Sequence, residues 1–138
     1  MDYGWQRKKT KYKNTKVEYG GLKFDSKKEM QRYIVLKKAE EAGLISNLKT
    51  QVRYELIPAV KETYIKHLKT KDKECERTLQ LPITYTCDFQ YIKDGEIVIE
   101  DVKASPKMLP KEFVLKEKMM LALKNLKIKK VFSIKDEI

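Results

Sequence analysis

At 138 residues, 41% of them apolar and 37% charged, the chain is long enough for one ordinary core. It has no apolar run near the roughly 20 residues a bilayer span needs, no secretory leader and no Gly-rich phosphate loop, so the expectation is a soluble, cytoplasmic protein without a nucleotide cofactor. Two cysteines and one histidine exclude a disulfide framework and a structural zinc site, and the net charge of +11 points to a polyanionic partner, nucleic acid first, against a merely solubilising surface.

Residues 1–18 read as a basic arm. Arg7, Lys8, Lys9, Lys11, Lys13 and Lys16 alternate with Tyr3, Trp5 and Tyr12 and follow no helical or strand period. Such an arm either lies along phosphates, stacking an aromatic ring, or serves as a solubilising tail. The ordered domain is expected over 19–138. Its first helix starts at Asp25-Ser26, where Ser26-x-x-Glu29 is a capping box, and Gly43 stops it. A strand follows within 45–57, ended by Pro58. Residues 59–81 are charge-dense and poor in apolar residues, an inserted loop or protruding hairpin.

From Thr84 the segment TYTCDFQYI is rich in β-branched and aromatic residues, Asp94-Gly95 marks a two-residue turn, and EIVIEDVK returns as the partner strand. A helix is predicted from Glu112 to Lys127, burying Leu115, Met119, Ala122, Leu123 and Leu126. IKKVFSI then closes the domain as a strand. The order is helix, three strands, helix, strand, an α/β class with a mixed central sheet flanked by helices.

The turn sets the register. With Asp94 and Gly95 as the loop residues, Lys93 faces Glu96, Gln90 faces Ile99 and Asp88 faces Asp101, while Lys103 shares the face of Asp101. Two carboxylates so placed have Cβ atoms about 5 Å apart and repel. Their neighbours Cys87, Phe89, Ile99 and Val102 are apolar, so water screens the repulsion poorly. A divalent cation turns the repulsion into chelation, and oxygen donors select Mg2+, with Mn2+ as a substitute. That arrangement suits phosphodiester hydrolysis, the cation activating water and Lys103 steadying charge. An acid-x-Lys triplet alone is a weak signal, and a pair of surface aspartates balanced by lysines is the bland alternative. Glu29 is explained by the helix end alone or points toward the sheet. Lys116 lies beside the apolar stripe of the second helix, where it reaches a phosphate or stays solvated.

The order helix-Glu, strand-Asp, strand Asp-x-Lys, helix, strand resembles the PD-(D/E)XK nuclease superfamily, whose restriction-endonuclease-like core is αβββαβ. The resemblance covers residues 22–134. The phrases FDSKKEMQRY, YTCDFQY and VIEDVK are similar to a small phage-encoded branch related to Holliday-junction resolvases. The resemblance implies Asp88, Asp101 and Glu29 as metal ligands and Lys103 as the catalytic lysine. It also implies branched DNA as substrate, a homodimer making two symmetric incisions, and the host-cell cytoplasm as location. By analogy, the 59–81 excursion corresponds to an element that engages the junction. Cys87 departs from the proline of the motif's name, and Asp101 stands where Glu is more frequent. Glu100 is a second acid, on the opposite strand face. Two other functions fit the same residues: a catalytically inert nucleic-acid-binding recombination accessory protein, and a repair or nicking nuclease.

Overall fold

The computed structural model describes residues 16–138. The arm residues Arg7, Lys8, Lys9, Lys11 and Lys13 lie outside that range. The chain begins with a small hairpin, β1 (Val17–Tyr19) and β2 (Leu22–Phe24), turned by Gly20 and Gly21 at φ +58° and +80°. Both residues need positive φ, which glycine adopts without a Cβ clash. β1 therefore starts inside the segment assigned to the arm; three-residue strands are too short to show a period.

Helix α1 (Lys27–Glu41) starts on Ser26, whose side chain accepts from the Glu29 backbone N–H at 3.1 Å, and leads to Gly43 at φ +79°. Its buried residues Glu29, Arg32, Leu36 and Ala39 form one stripe. Strand β3 (Ser46–Ile57) follows. The charge-dense insertion is a hairpin of its own, β4 (Val60–His67) paired with β5 (Asp72–Gln80), hydrogen-bonded to no strand of the main sheet. Then come β6 (Ile83–Lys93), β7 (Glu96–Val102), α2 (Lys111–Lys124) and β8 (Ile128–Val131).

The main sheet has the order β3-β6-β7-β8. It is mixed: β3, β6 and β7 are antiparallel, and β8 runs parallel to β7 after the α2 crossover. The β6–β7 turn holds Asp94 at φ +51° and Gly95 at +79°, and Lys93 pairs with Glu96, Gln90 with Ile99 and Phe89 with Glu100. Consecutive strand residues face opposite layers. Ile99 packs with Phe113 and Met120 of α2, whereas its neighbour Glu100 bonds Arg32 of α1, so the helices cover opposite faces.

Three expectations need correction. Helix α2 ends at Lys124, three residues early, because Asn125 takes the left-handed conformation (φ +54°) and caps it. It also buries a different side. Phe113 and Met120 enter the core with Met119 and Leu126 half-buried, while Leu115, Ala122 and Leu123 face outward. The helix is apolar on several sides, so periodicity cannot choose among them. The last strand likewise ends at Val131, since Asp136 accepts from the backbone N–H groups of Phe132 and Ser133 and folds the chain away.

Candidate functional site

Asp88 lies where β6 crosses between layers. Tyr85 and Cys87 pack on the α2 side, but Phe89 and Tyr91 pack on the α1 side. At the same level of β3, Gln51 stands between Thr50, paired with Phe89, and Val52, paired with Cys87, and adopts φ +53°. A left-handed glutamine inside a strand costs on the order of 1–2 kcal/mol, and such outliers concentrate at functional sites. The β6–β7 backbone ladder also stops here, after Phe89 and Glu100. One step further the Asp88 carboxylate accepts from the Val102 N–H at 2.8 Å, a side chain in place of a ladder bond.

Asp101 is only 5% exposed. Its Oδ2 accepts from the Tyr85 hydroxyl at 2.6 Å, and its Oδ1 pairs with Lys103 Nζ at 3.0 Å. Asp101 stands close enough to Asp88 for its charge to act on the Asp88 carboxyl. Lys103 rests its ammonium over the Phe113 ring, 4.1 Å from the centroid, and its carbonyl accepts from Lys28 Nζ at 2.9 Å. Glu29, 4% exposed, arrives from the first turn of α1 and accepts from Gln51 Nε2 at 2.8 Å. Thus Glu29, Asp88, Asp101 and Lys103 are brought together. Lys116 pairs with Glu112 at 2.8 Å and lines the same open pocket of about 340 Å3 as Asp101, Lys103 and Tyr85.

Residues 9–136 match the family described as "Protein of unknown function (DUF1064)". The chain belongs to this family. No curated protein and no solved structure matches the chain.

In this DUF1064 chain the electrostatics of the cluster follow from crowding. Burial, then the charges of Asp101 and Glu29, push the Asp88 carboxyl from its ordinary 3.8 up to about 8, against the opposing pull of the Val102 N–H. Burial and the neighbouring Asp25 push Glu29 to about 7, with Asp101 adding to the rise and Gln51 opposing it. At neutral pH the Asp88 carboxyl therefore keeps its proton, beside Asp101. Burial and Asp101 raise the Tyr85 phenol, which stays a donor, and burial raises the Cys87 thiol to about 11, which keeps it from acting as a thiolate.

Among the described residues no three His, Cys, Asp or Glu side chains are grouped so that they could hold a metal ion as they stand. The aspartate oxygens have other partners: Asp88 accepts from Val102, and Asp101 from Tyr85 and Lys103. The donor set still fits a hard divalent ion. It offers only oxygen ligands, and it carries more negative charge than Lys103 neutralises, the excess being met by protons.

Sequence reasoning missed Gln51, Tyr85 and Lys28. Strict alternation from Asp88 sends Tyr85 to the other face, and only the crossover in β6 returns it. Glu100 does lie on the face away from the cluster, fully buried against Arg32 and Tyr91.

Proposed function

We propose that this chain is a Mg2+-dependent, structure-selective DNA endonuclease of PD-(D/E)XK type, acting on branched DNA as a phage-type Holliday-junction resolvase does. The observation that carries the reading is the convergence of Asp88, Asp101 and Glu29 with the Lys103 ammonium 3.0 Å from Asp101. Asp88, Asp101 and Glu29 would hold the cation. Bound Mg2+ supplies Lewis-acid polarisation of a phosphodiester and a more acidic water. The chain's own part is positional. Tyr85 fixes the Asp101 carboxylate, Gln51 fixes Glu29, and Lys103, beside Asp101, would steady the charge that develops on the phosphoryl oxygens. Lys116, on the pocket wall, is placed for a neighbouring phosphate.

The net charge of +11 supports a polyanionic substrate. A homodimer belongs to the proposal, because a four-way junction is opened by two symmetric incisions. The outward Leu115, Leu121 and Leu123 of α2 leave apolar surface of the kind subunit contacts use. The test is incubation with a synthetic four-way junction, a flap and plain duplex, with Mg2+ and with chelator. Preferential, Mg2+-dependent incision of the junction is expected. Preference for the flap, or equal cutting of all three, replaces the resolvase assignment with a repair or nicking nuclease.

One observation favours a second reading. Lys103 and Tyr85 already satisfy Asp101, as they would in a catalytically inert nucleic-acid-binding accessory protein that kept the scaffold. Such a protein binds DNA yet shows neither incision nor Mg2+-dependent stabilisation.

A further inference from the structure

A buried ion pair lies directly behind the carboxylate cluster. Arg32 and Glu100 are both fully buried and meet in a two-pronged pair, Nε to Oε1 at 2.8 Å and Nη2 to Oε2 at 2.9 Å. Tyr91 donates to the same carboxylate, and Lys129 Nζ stands 3.9 Å away. The remaining guanidinium nitrogen donates to the carbonyls of Ile134 and Asp136, at 3.1 and 2.6 Å. Desolvating two charges costs several kcal/mol per ion, and apolar residues of similar volume often replace such pairs without loss, so stability does not account for its presence.

Placement does. Arg32 follows Glu29 by one helical turn on the buried stripe of α1, and Glu100 adjoins Asp101 in β7. The pair therefore joins the helix that carries one site carboxylate to the strand that carries another, one helical turn from the first and one residue from the second. Its rigid fork fixes orientation as well as distance. Met30 and Tyr33 share an apolar cluster with Val98 and Val102 of β7, and Lys28 reaches the Lys103 carbonyl just past the strand. The Arg32–Glu100 fork is the charged, directional contact to β7 itself, since Glu29 reaches Gln51 of β3.

We infer that Arg32 and Glu100 are positioning residues, a lock that holds the first turn of α1 so that Glu29 stays at the carboxylate cluster. The consequence for metal binding rests on the nuclease reading, whereas the lock rests on the geometry alone.

The experiment uses the full chain carrying Arg32→Met with Glu100→Leu, chosen to keep volume and remove both charges, and reads two quantities. In metal-free protein, amide exchange across residues 29–33 is expected to accelerate at least about tenfold while β6 and β7 keep wild-type protection. Mg2+ affinity, read by thermal shift, is expected to fall about tenfold, as when groups supporting a ligand are lost, and adding Glu29→Gln should lower it no further. If the double variant does not fold, Arg32→Lys, which keeps the charge and loses the fork, carries the same readouts. Unchanged exchange in α1, or losses that add fully to those of Glu29→Gln, would overturn the lock. Accelerated exchange in a protein whose wild type shows no Mg2+ response would leave the lock standing and remove the metal reading instead.

Discussion

Replacing Asp88 by asparagine should make the metal-free protein more stable while abolishing its response to Mg2+. The native carboxyl titrates at about 8 against 3.8 for a free aspartate, a gap of about four pH units. Because the folded value is raised, the native state binds more protons than the unfolded state between about pH 4 and 8, and wild-type stability falls as pH rises through that window. At about 1.36 kcal/mol per pH unit, the ceiling on this cost is roughly 5 kcal/mol at pH 8. Partial solvent access to Asp88 reduces it, to on the order of 2 kcal/mol. Asparagine keeps an acceptor for the Val102 N–H and offers Asp101 a permanent donor. For a domain of this size the gain corresponds to a Tm increase of about 6–10 °C. Thermal unfolding in chelator at pH 5, 6.5 and 8 measures it. The advantage of Asp88→Asn should grow with pH, and added Mg2+ should raise the Tm of wild type alone. A variant less stable than wild type at pH 8 in chelator would refute the crowding argument.

Lys103→Ala should lower the single-turnover cleavage rate by two orders of magnitude or more while DNA affinity, read by fluorescence anisotropy, changes less than about threefold. Gln51→Gly should leave stability within about 1 kcal/mol of wild type, relief of the left-handed conformation offsetting added chain entropy, yet weaken Mg2+ binding because Glu29 loses its partner; urea melts and calorimetry separate the two effects. Arg32→Ala alone strands the Glu100 carboxylate in the core and should cost about 3–5 kcal/mol in urea unfolding. DNA affinity should fall at least about a hundredfold between 50 and 200 mM salt, and a flat response would remove the phosphate-contact account.

The parts of the site legible in the sequence were those governed by local chemistry. Asp94-Gly95 defines its turn through positive φ at both residues, and the β6–β7 register follows from it. Ser26 announced the helix start just as directly. What stayed hidden depends on contacts distant in sequence. Arg32 and Glu100, 68 residues apart, look like surface charges in a chain that is 37% charged, and only packing shows them sealed in the core. Gln51 carries no mark of its left-handed backbone, and without that crossover Tyr85 is assigned to the wrong face. The buried side of α2 was misread because Val114, Leu115, Leu121 and Leu123 supply as much apolar surface outward as Phe113 and Met120 supply inward. In each case tertiary context overrode the local pattern. No helix among the described residues is long and apolar enough to cross a membrane.

Calorimetric titration of Mn2+ into the metal-free protein at pH 7, repeated in two buffers of different ionisation enthalpy, bears most directly on the carboxylate cluster. Roughly one ion per chain should bind, displacing about one proton from Asp88, and Asp101→Asn should eliminate the signal. Binding without proton release, or no binding to the wild type, would contradict a cation site at Glu29, Asp88 and Asp101.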